Sequence, residues 1–186
     1  WADVLQTSAV TRTHFTMRAS IRGGDRKATL DVLDAMAASE SHGLVTLGEA
    51  RSRGKVVFVF PGQGSQWEAM GRSLMAESQV FAKAIAECDA ALEPLTGWSL
   101  SAVLRGDEGA ASLEQVDVVQ PALFAMTIGL SALWRSLGVT PSAVVGHSQG
   151  EVGAAVVAGA LSLEDAARVV VARSQLVKRI SGRGAM

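Results

Sequence analysis

The segment from Ala143 to Ala160 constrains the fold more than any other part of the chain. A short apolar run, Ala143-Val144-Val145, leads into Gly146-His147-Ser148-Gln149-Gly150, and a stretch rich in small residues, Val152 to Ala160, follows. Strand, tight turn and helix in that order form a nucleophile elbow, G-x-S-x-G. The strand anchors the turn, and glycines on either side remove Cβ atoms that would clash in a strained backbone. The helix start then aims its free N–H groups at the reaction centre. Ser148 is left raised and exposed, placed to attack a carbonyl or thioester carbon. Five residues with two glycines recur by chance, but a strand before and a helix after are the context the motif requires.

A chain of 186 residues fits one domain, or one domain with an appended piece. Seventeen basic residues against eighteen acidic ones leave a net charge of −1, and no basic stripe interleaved with aromatics supports nucleic-acid binding. No apolar run approaches the about twenty uninterrupted residues of a membrane span. The three histidines, His14, His42 and His147, are scattered without metal-ligand spacing. Cys88 shares helical spacing with Phe81, Ile85 and Leu92 and reads as a small buried hydrophobe. The chain opens at Trp1 without a charged-then-apolar leader and stops at Met186 just after an expected helix, so both ends read as cut.

The first 54 residues form a more polar block. Thr13 to Ile21 alternates like a strand, Asp25 to Ser39 has helical spacing with Asp25 near its start, and His42 to Leu47 reads as a second strand. Glu49 to Gly54 is polar and turn-like, a boundary. From Lys55 the character changes. Lys55 to Phe60 is a continuous apolar run ended by Pro61-Gly62, which suits a fully buried parallel strand. The loop Gly62 to Gln66 follows, then helices from Trp67 to Ala76 and from Ser78 to Leu92, the second ended by Pro94. Pro121 is expected to open a helix running to about Leu137 and stopped by Gly138. Ser162-Leu163-Glu164-Asp165 resembles a capping box and starts a last helix that reaches Ile180. Strands alternating with helices predict an α/β fold with a parallel sheet.

Serine acyl transfer needs a nucleophile, a base, oxyanion donors and a grip on the acyl group. Ser148 supplies the first. The backbone N–H of Gln149 is the natural oxyanion donor, and a second is expected from Gly62-Gln63-Gly64 at the end of the other apolar strand. Arg173 stands out on the last helix. Ala166, Val169, Val170, Val177 and Ile180 gather on one side at about 100° per residue, and Arg173 projects from the middle of that arc. A guanidinium there must meet an anion or suffer desolvation. Two partners remain open: an internal carboxylate such as Glu151, or a substrate carboxylate gripped by two N–H groups. His147 adjoins the nucleophile, but neighbouring side chains on a sharp elbow diverge, so it is expected behind the turn and out of reach of the Ser148 hydroxyl. His14 and His42 lie in the preceding block. No convincing general base is in view.

These residues together resemble one family. Phe58-Val59-Phe60-Pro61-Gly62-Gln63-Gly64-Ser65-Gln66 and Gly146-His147-Ser148-Gln149-Gly150-Glu151 are similar to the malonyl-CoA:acyl-carrier-protein transacylases, and most of all to the acyltransferase domains of modular type I polyketide synthases. Residues 1–54, with Arg12-Thr13-His14-Phe15 and Gly48 to Lys55, resemble the linker between a ketosynthase and such a domain. The resemblance implies an α/β-hydrolase-like large subdomain, of which residues 55–186 are the N-terminal part, preceded by a small α/β linker domain. It implies Ser148 as the nucleophile that holds the acyl ester, the N–H groups of Gln63 and Gln149 as the oxyanion hole, and Arg173 as the partner of the free carboxylate of a malonyl-type unit. Val116-Asp117-Val118-Val119-Gln120 and Gln149 resemble the signatures of methylmalonyl-selective members. It further implies a cytoplasmic multifunctional enzyme of the kind used in antibiotic biosynthesis. Such an enzyme uses methylmalonyl-CoA or malonyl-CoA, an acyl carrier protein bearing the phosphopantetheine thiol, and a ketosynthase of the same polypeptide. Neither metal nor cofactor is implied for this domain. The family's catalytic histidine, ferredoxin-like small subdomain and second specificity motif would follow Met186, so the chain alone is expected to be poorly active.

Two other readings share parts of this pattern. A serine hydrolase of the α/β-hydrolase kind has the same elbow, but a buried-face arginine and the Gly62-Gln63-Gly64 loop fit it less well. A non-catalytic piece docking between synthase domains would bind a ketosynthase without ever being acylated.

Overall fold

The computed structural model describes residues 1–22, 25–51 and 54–180. Residues 52 and 53 of the expected boundary and the terminal residues 181–186 lie outside them. The chain divides into two compact units, Trp1–Gly54 and Lys55–Met186.

The first unit holds α1 (Ala2–Val10), β1 (Met17–Ile21), α2 (Arg26–Ala37) and β2 (Val45–Glu49). β1 and β2 pair antiparallel, with Met17 opposite Glu49 and Ile21 opposite Val45. Asp25 caps α2 by accepting the Ala28 N–H at 2.7 Å, which explains why the helix begins where it does. The helix α1 has no counterpart in the sequence reading, because it buries no residue and so shows no apolar face. It also shortens the expected strand. Thr11 donates its hydroxyl back to the Thr7 carbonyl at 2.8 Å, and His14 Nε2 bonds the Ala9 carbonyl at 2.9 Å. Thr13 to Phe15 are thereby committed to the connection, and β1 starts at Met17. β2 likewise starts three residues later and ends two later than expected.

The second unit runs β3 (Val57–Phe60), α3 (Arg72–Glu77), α4 (Gln79–Thr96), α5 (Leu100–Arg105), α6 (Val116–Ser136), β4 (Ala143–Gly146), α7 (Gly150–Val157) and α8 (Leu163–Ile180). β3 and β4 pair in parallel, Val57 against Ala143 and Phe60 against Gly146. Helices α4, α6 and α8 pack on one another, and α7 packs on both strands and on α6. Their shared core includes Phe81, Ile85 and Leu92 of α4, Val119 and Ala122 of α6, and Val170 of α8. Cys88 is fully buried in it, and burial, with Glu87 and Asp89 beside it, pushes its thiol up to about 12. The apolar, mostly buried α6 is long and apolar enough to cross a membrane by length and composition, although Asp117, Gln120 and Arg135 interrupt its apolar run.

Several local expectations change. Pro121 does not open α6; it is the sixth residue of a helix that begins at Val116. A proline inside a helix costs about 3 kcal/mol, but extending α6 upstream buries Val118 and Val119, each worth about 1.5–3 kcal/mol. Burial wins. Pro94 is passed in the same way, and α4 ends instead at Gly97 with φ 76°. The helix expected from Trp67 starts only at Arg72, and α5 was not foreseen. β3 is not buried on both faces: Val57 is 48% exposed and Val59 68% exposed, as is Val145 of β4 at 52%. Only Phe60, and in part Phe58 and Val144, face the core. The capping of α8 is as read, with the Asp165 N–H donating to Ser162 Oγ at 3.0 Å.

Candidate active site

The elbow is assembled by backbone contact. His147 N–H donates to the Phe60 carbonyl at 3.0 Å, which ties the end of β4 to the end of β3. A Cβ on Gly150 would fall on the carbonyl oxygens of Phe60 and Pro61, and one on Gly146 would fall on the backbone of Glu151. Only glycine lets α7 start this close to the strands. Between them Ser148 takes φ 55°, a left-handed conformation that costs an L-residue about 1–2 kcal/mol. Strain of this kind at an exposed serine lifts its hydroxyl out of the turn.

The loop after β3 lies against this turn. A Cβ on Gly62 would come within 3.1 Å of His147 Nδ1 and 3.5 Å of Ser148 Cβ. Gly64, at φ 130°, donates its N–H to Gln66 Oε1 at 2.9 Å. Among the described residues the N–H groups of Gln63 and Gln149 meet no acceptor. Gln149 directly follows Ser148, and Gln63 directly follows Gly62, whose Cβ position lies 3.5 Å from Ser148 Cβ.

Arg173 reaches Ser148. Its Nη2 donates to Ser148 Oγ at 3.0 Å and its Nη1 to Gln120 Oε1 at 2.6 Å. Gln120 is 5% exposed and donates in turn from Nε2 to Gln63 Oε1 at 3.5 Å. Glu151 is exposed, and among the described residues Arg173 forms no salt bridge, so the internal-carboxylate alternative has no counterpart here. The face of α8 also differs from expectation. Its buried residues are Ala166, Ala167, Val170, Val171 and Ser174, while Val169 and Ile180 are exposed. Arg173 therefore sits half-buried at the margin of the stripe, not at its centre, which is what lets it extend to Ser148.

The segment Val116 to Gln120 is divided by the turn of α6. Val118 and Val119 enter the core, while Gln120 meets Arg173. Asp117 accepts from Lys178 Nζ at 2.7 Å through Oδ2, and the same ammonium donates to Gln115 Oε1 at 3.3 Å. Sequence reasoning missed this second tie between α6 and α8, although polar residues at Asp117 and Gln120 in an apolar helix were a usable signal. Two buried acceptors have no partner among the described residues, Asp117 Oδ1 and Gln149 Oε1. His147 is exposed, its Nδ1 lies against Gly62, and its ring hydrogen-bonds nothing among the described residues, Ser148 included. His14 and His42 bond backbone within the first unit. Among the described residues no group of three or more His, Cys, Asp or Glu could hold a metal ion. A cavity of about 230 Å³ lies between β3 and α6, lined by Phe58, Phe60, Leu123, Met126 and Trp134 among others, but it includes neither Ser148 nor Arg173.

Comparison with known proteins gives the same direction. Residues 57–186 match the family described as Acyl transferase domain. The chain is 53% identical over 185 residues to the spectinabilin polyketide synthase system protein NorA of Streptomyces orinoci, covering all of this chain and 10% of that protein. It is 47% identical over 184 residues to erythronolide synthase EryA2 of Saccharopolyspora erythraea, covering 99% of this chain and 5% of that protein. The chain thus spans a tenth or less of these relatives. Among solved structures, the acyltransferase domain from module 8 of the salinomycin polyketide synthase superposes with TM-score 0.84 at 46% identity, over 96% of this chain and 42% of that one. The loading acyltransferase of the avermectin modular polyketide synthase gives TM-score 0.67 at 56% identity, over 68% of this chain and 40% of that one. With its α/β architecture and a serine elbow inside the matched region, the chain belongs to the acyl transferase domain family, as found in modular polyketide synthases.

Proposed function

We propose that the chain carries the acyl-accepting part of an extender-loading acyltransferase, which moves a methylmalonyl or malonyl group from coenzyme A through Ser148 to the phosphopantetheine thiol of an acyl carrier protein. The observation that carries this reading is the contact of Arg173 with a strained, exposed serine, with no carboxylate among the described residues to neutralise the guanidinium. Ser148 Oγ attacks the thioester carbonyl as its proton leaves to a base. The oxygen that becomes negative is taken up by the N–H groups of Gln63 and Gln149. The carbon–sulfur bond then breaks, coenzyme A departs as the protonated thiol, and the acyl group stays on Ser148 as an ester. Attack by the carrier thiol reverses the sequence. Arg173 pairs with the free carboxylate of the extender throughout, a role suited to its paired donors.

No cofactor of its own enters this scheme, and the pantetheine arm belongs to the carrier protein. Residues 1–54 would serve as the linker to a ketosynthase of the same cytoplasmic polypeptide. Methylmalonyl is favoured over malonyl by the resemblance of the Val116 to Gln120 segment and of Gln149, whose buried Oε1 has no partner among the described residues, to methylmalonyl-selective signatures. No histidine among the described residues bonds Ser148, so the base is supplied from elsewhere and the 186-residue chain alone turns over poorly.

The test is acyl labelling of the polypeptide that carries this chain. Methylmalonyl-CoA labelled in its acyl group should mark Ser148, and Ser148→Ala should abolish the mark; equal labelling of the variant sinks the assignment. Offered together, methylmalonyl-CoA should outcompete malonyl-CoA, by about tenfold for the one added methyl group. Release of free acid from simple esters, without transfer to a carrier, would favour a hydrolase instead.

A further inference from the structure

We propose that Gln120 is a positioning residue that holds Arg173 by one edge, so that its other edge exchanges between Ser148 in the empty site and the carboxylate of the arriving acyl group. This rests on the reading of Ser148 and Arg173 given above and adds a step to it. A guanidinium only donates, so whatever it touches must accept. Gln120 must therefore present Oε1 to Nη1 at 2.6 Å, which turns its Nε2 toward Gln63 Oε1 at 3.5 Å and fixes the orientation of the amide. The side chain is 5% exposed and lies between Val119 and Pro121, both fully buried. Turning away would strand a buried amide without partners. Gln120 is thus the fixed end of the arrangement.

Ser148 is the exchangeable end. It is exposed, and the bond from Nη2 to its Oγ occupies one of the oxygen's two lone pairs and draws electron density from it, which lowers its nucleophilicity. Both partners of Arg173 are neutral, so its charge is unspent and a carboxylate is the stronger acceptor for the same N–H. When that carboxylate takes Nη2, Ser148 Oγ is released; an acyl-CoA without a carboxylate releases nothing. The neighbouring cation does not compete, because Lys178 is held by Asp117 and Gln115 at 2.7 and 3.3 Å. Recognition of the carboxylate and release of the nucleophile become one event, and no bond other than hydrogen bonds is exchanged.

Calorimetric titration of the polypeptide that carries this chain with thioether analogues of methylmalonyl-CoA and propionyl-CoA, which bind but cannot transfer, tests this. The unaltered chain should prefer the carboxylated analogue. Ser148→Ala, by removing the competing acceptor, should tighten the methylmalonyl analogue several-fold, up to about tenfold, and leave the propionyl analogue unchanged. Gln120→Leu should lower the preference by about tenfold with the propionyl analogue unaffected, a selectivity that a general packing defect would not produce. Should Gln120→Leu fail to fold, Gln120→Glu decides. It keeps the acceptor but neutralises the guanidinium, and it should also lose the preference. Unchanged or weaker methylmalonyl binding in Ser148→Ala overturns the exchange, and a preference kept in the Gln120 variants overturns the positioning role. A chain without any preference, or one whose preference survives Arg173→Ala, overturns the underlying carboxylate reading.

Discussion

Ser148 occupies a backbone conformation that its own Cβ disfavours, with φ 55°. Replacing it by glycine relieves that strain, whereas alanine keeps it. Ser148→Gly should therefore be more stable than Ser148→Ala by about 1 kcal/mol, the reverse of the usual order of the two residues. Urea melts of the two variants check this, and an alanine variant as stable as the glycine one would mean that the elbow is unstrained. Cys88 gives a second prediction at this scale. Burial raises its thiol from 9.0 to about 12, so the folded chain keeps a proton that the unfolded chain loses. That contribution to stability is fully present below pH 9 and is lost as pH rises from 9 to about 12. At pH 10 the loss is about 1 kcal/mol, and Cys88→Ala should flatten this alkaline slope even though it lowers stability overall. A slope unchanged by the substitution would assign it to other groups.

At the level of elements, the site depends on how closely α7 approaches β3. A Cβ at Gly150 meets the carbonyl oxygens of Phe60 and Pro61, which are backbone and cannot yield, while one at Gly153 meets the side chain of Thr127, which can turn. Gly150→Ala should cost about 3 kcal/mol or more and Gly153→Ala about 1 kcal/mol, measured by denaturant unfolding. Equal costs would mean that the elbow can shift as a body. This close approach was legible beforehand because glycine spacing is a local signal, and so were the caps at Asp25 and Ser162. Other features were not local. Pro94 and Pro121 read as helix boundaries, yet the core on either side carries α4 and α6 through them. The periodicity of α8 put Arg173 at the centre of an apolar arc, whereas packing against α4 and α6 buries the Ala166, Ala167, Val170, Val171 and Ser174 side, leaving Arg173 at its margin and Val169 and Ile180 exposed. Gln120 was noticed only by resemblance; its bond to Arg173 joins residues 53 apart, which no spacing rule connects.

Across the whole chain, burial is shared out unevenly. The second unit closes a core around α4, α6 and α8, with large residues such as Phe81, Ile85 and Leu104 fully buried. In the first unit α1 buries nothing, and α2 buries only Thr29 and Val32. At about 1.5–3 kcal/mol for each large apolar side chain buried, this difference outweighs what backbone hydrogen bonds can restore to the first unit. Opening free energies should follow the burial. Amides of α4, α6 and α8 should exchange with deuterium only on global unfolding, those of β1 and β2 much sooner, and those of α1 within the dead time of a manual experiment. The strand pair at the site falls between these limits. Its Phe60 side is packed, but Val59 and Val145 face outward, so β3 and β4 should exchange by opening short of global unfolding. The same outward valines should bind an apolar dye, and Val59→Lys should reduce that binding without weakening the helical core. Protection in α1 equal to that in α6 would show that burial within its own unit does not set the stability of this segment.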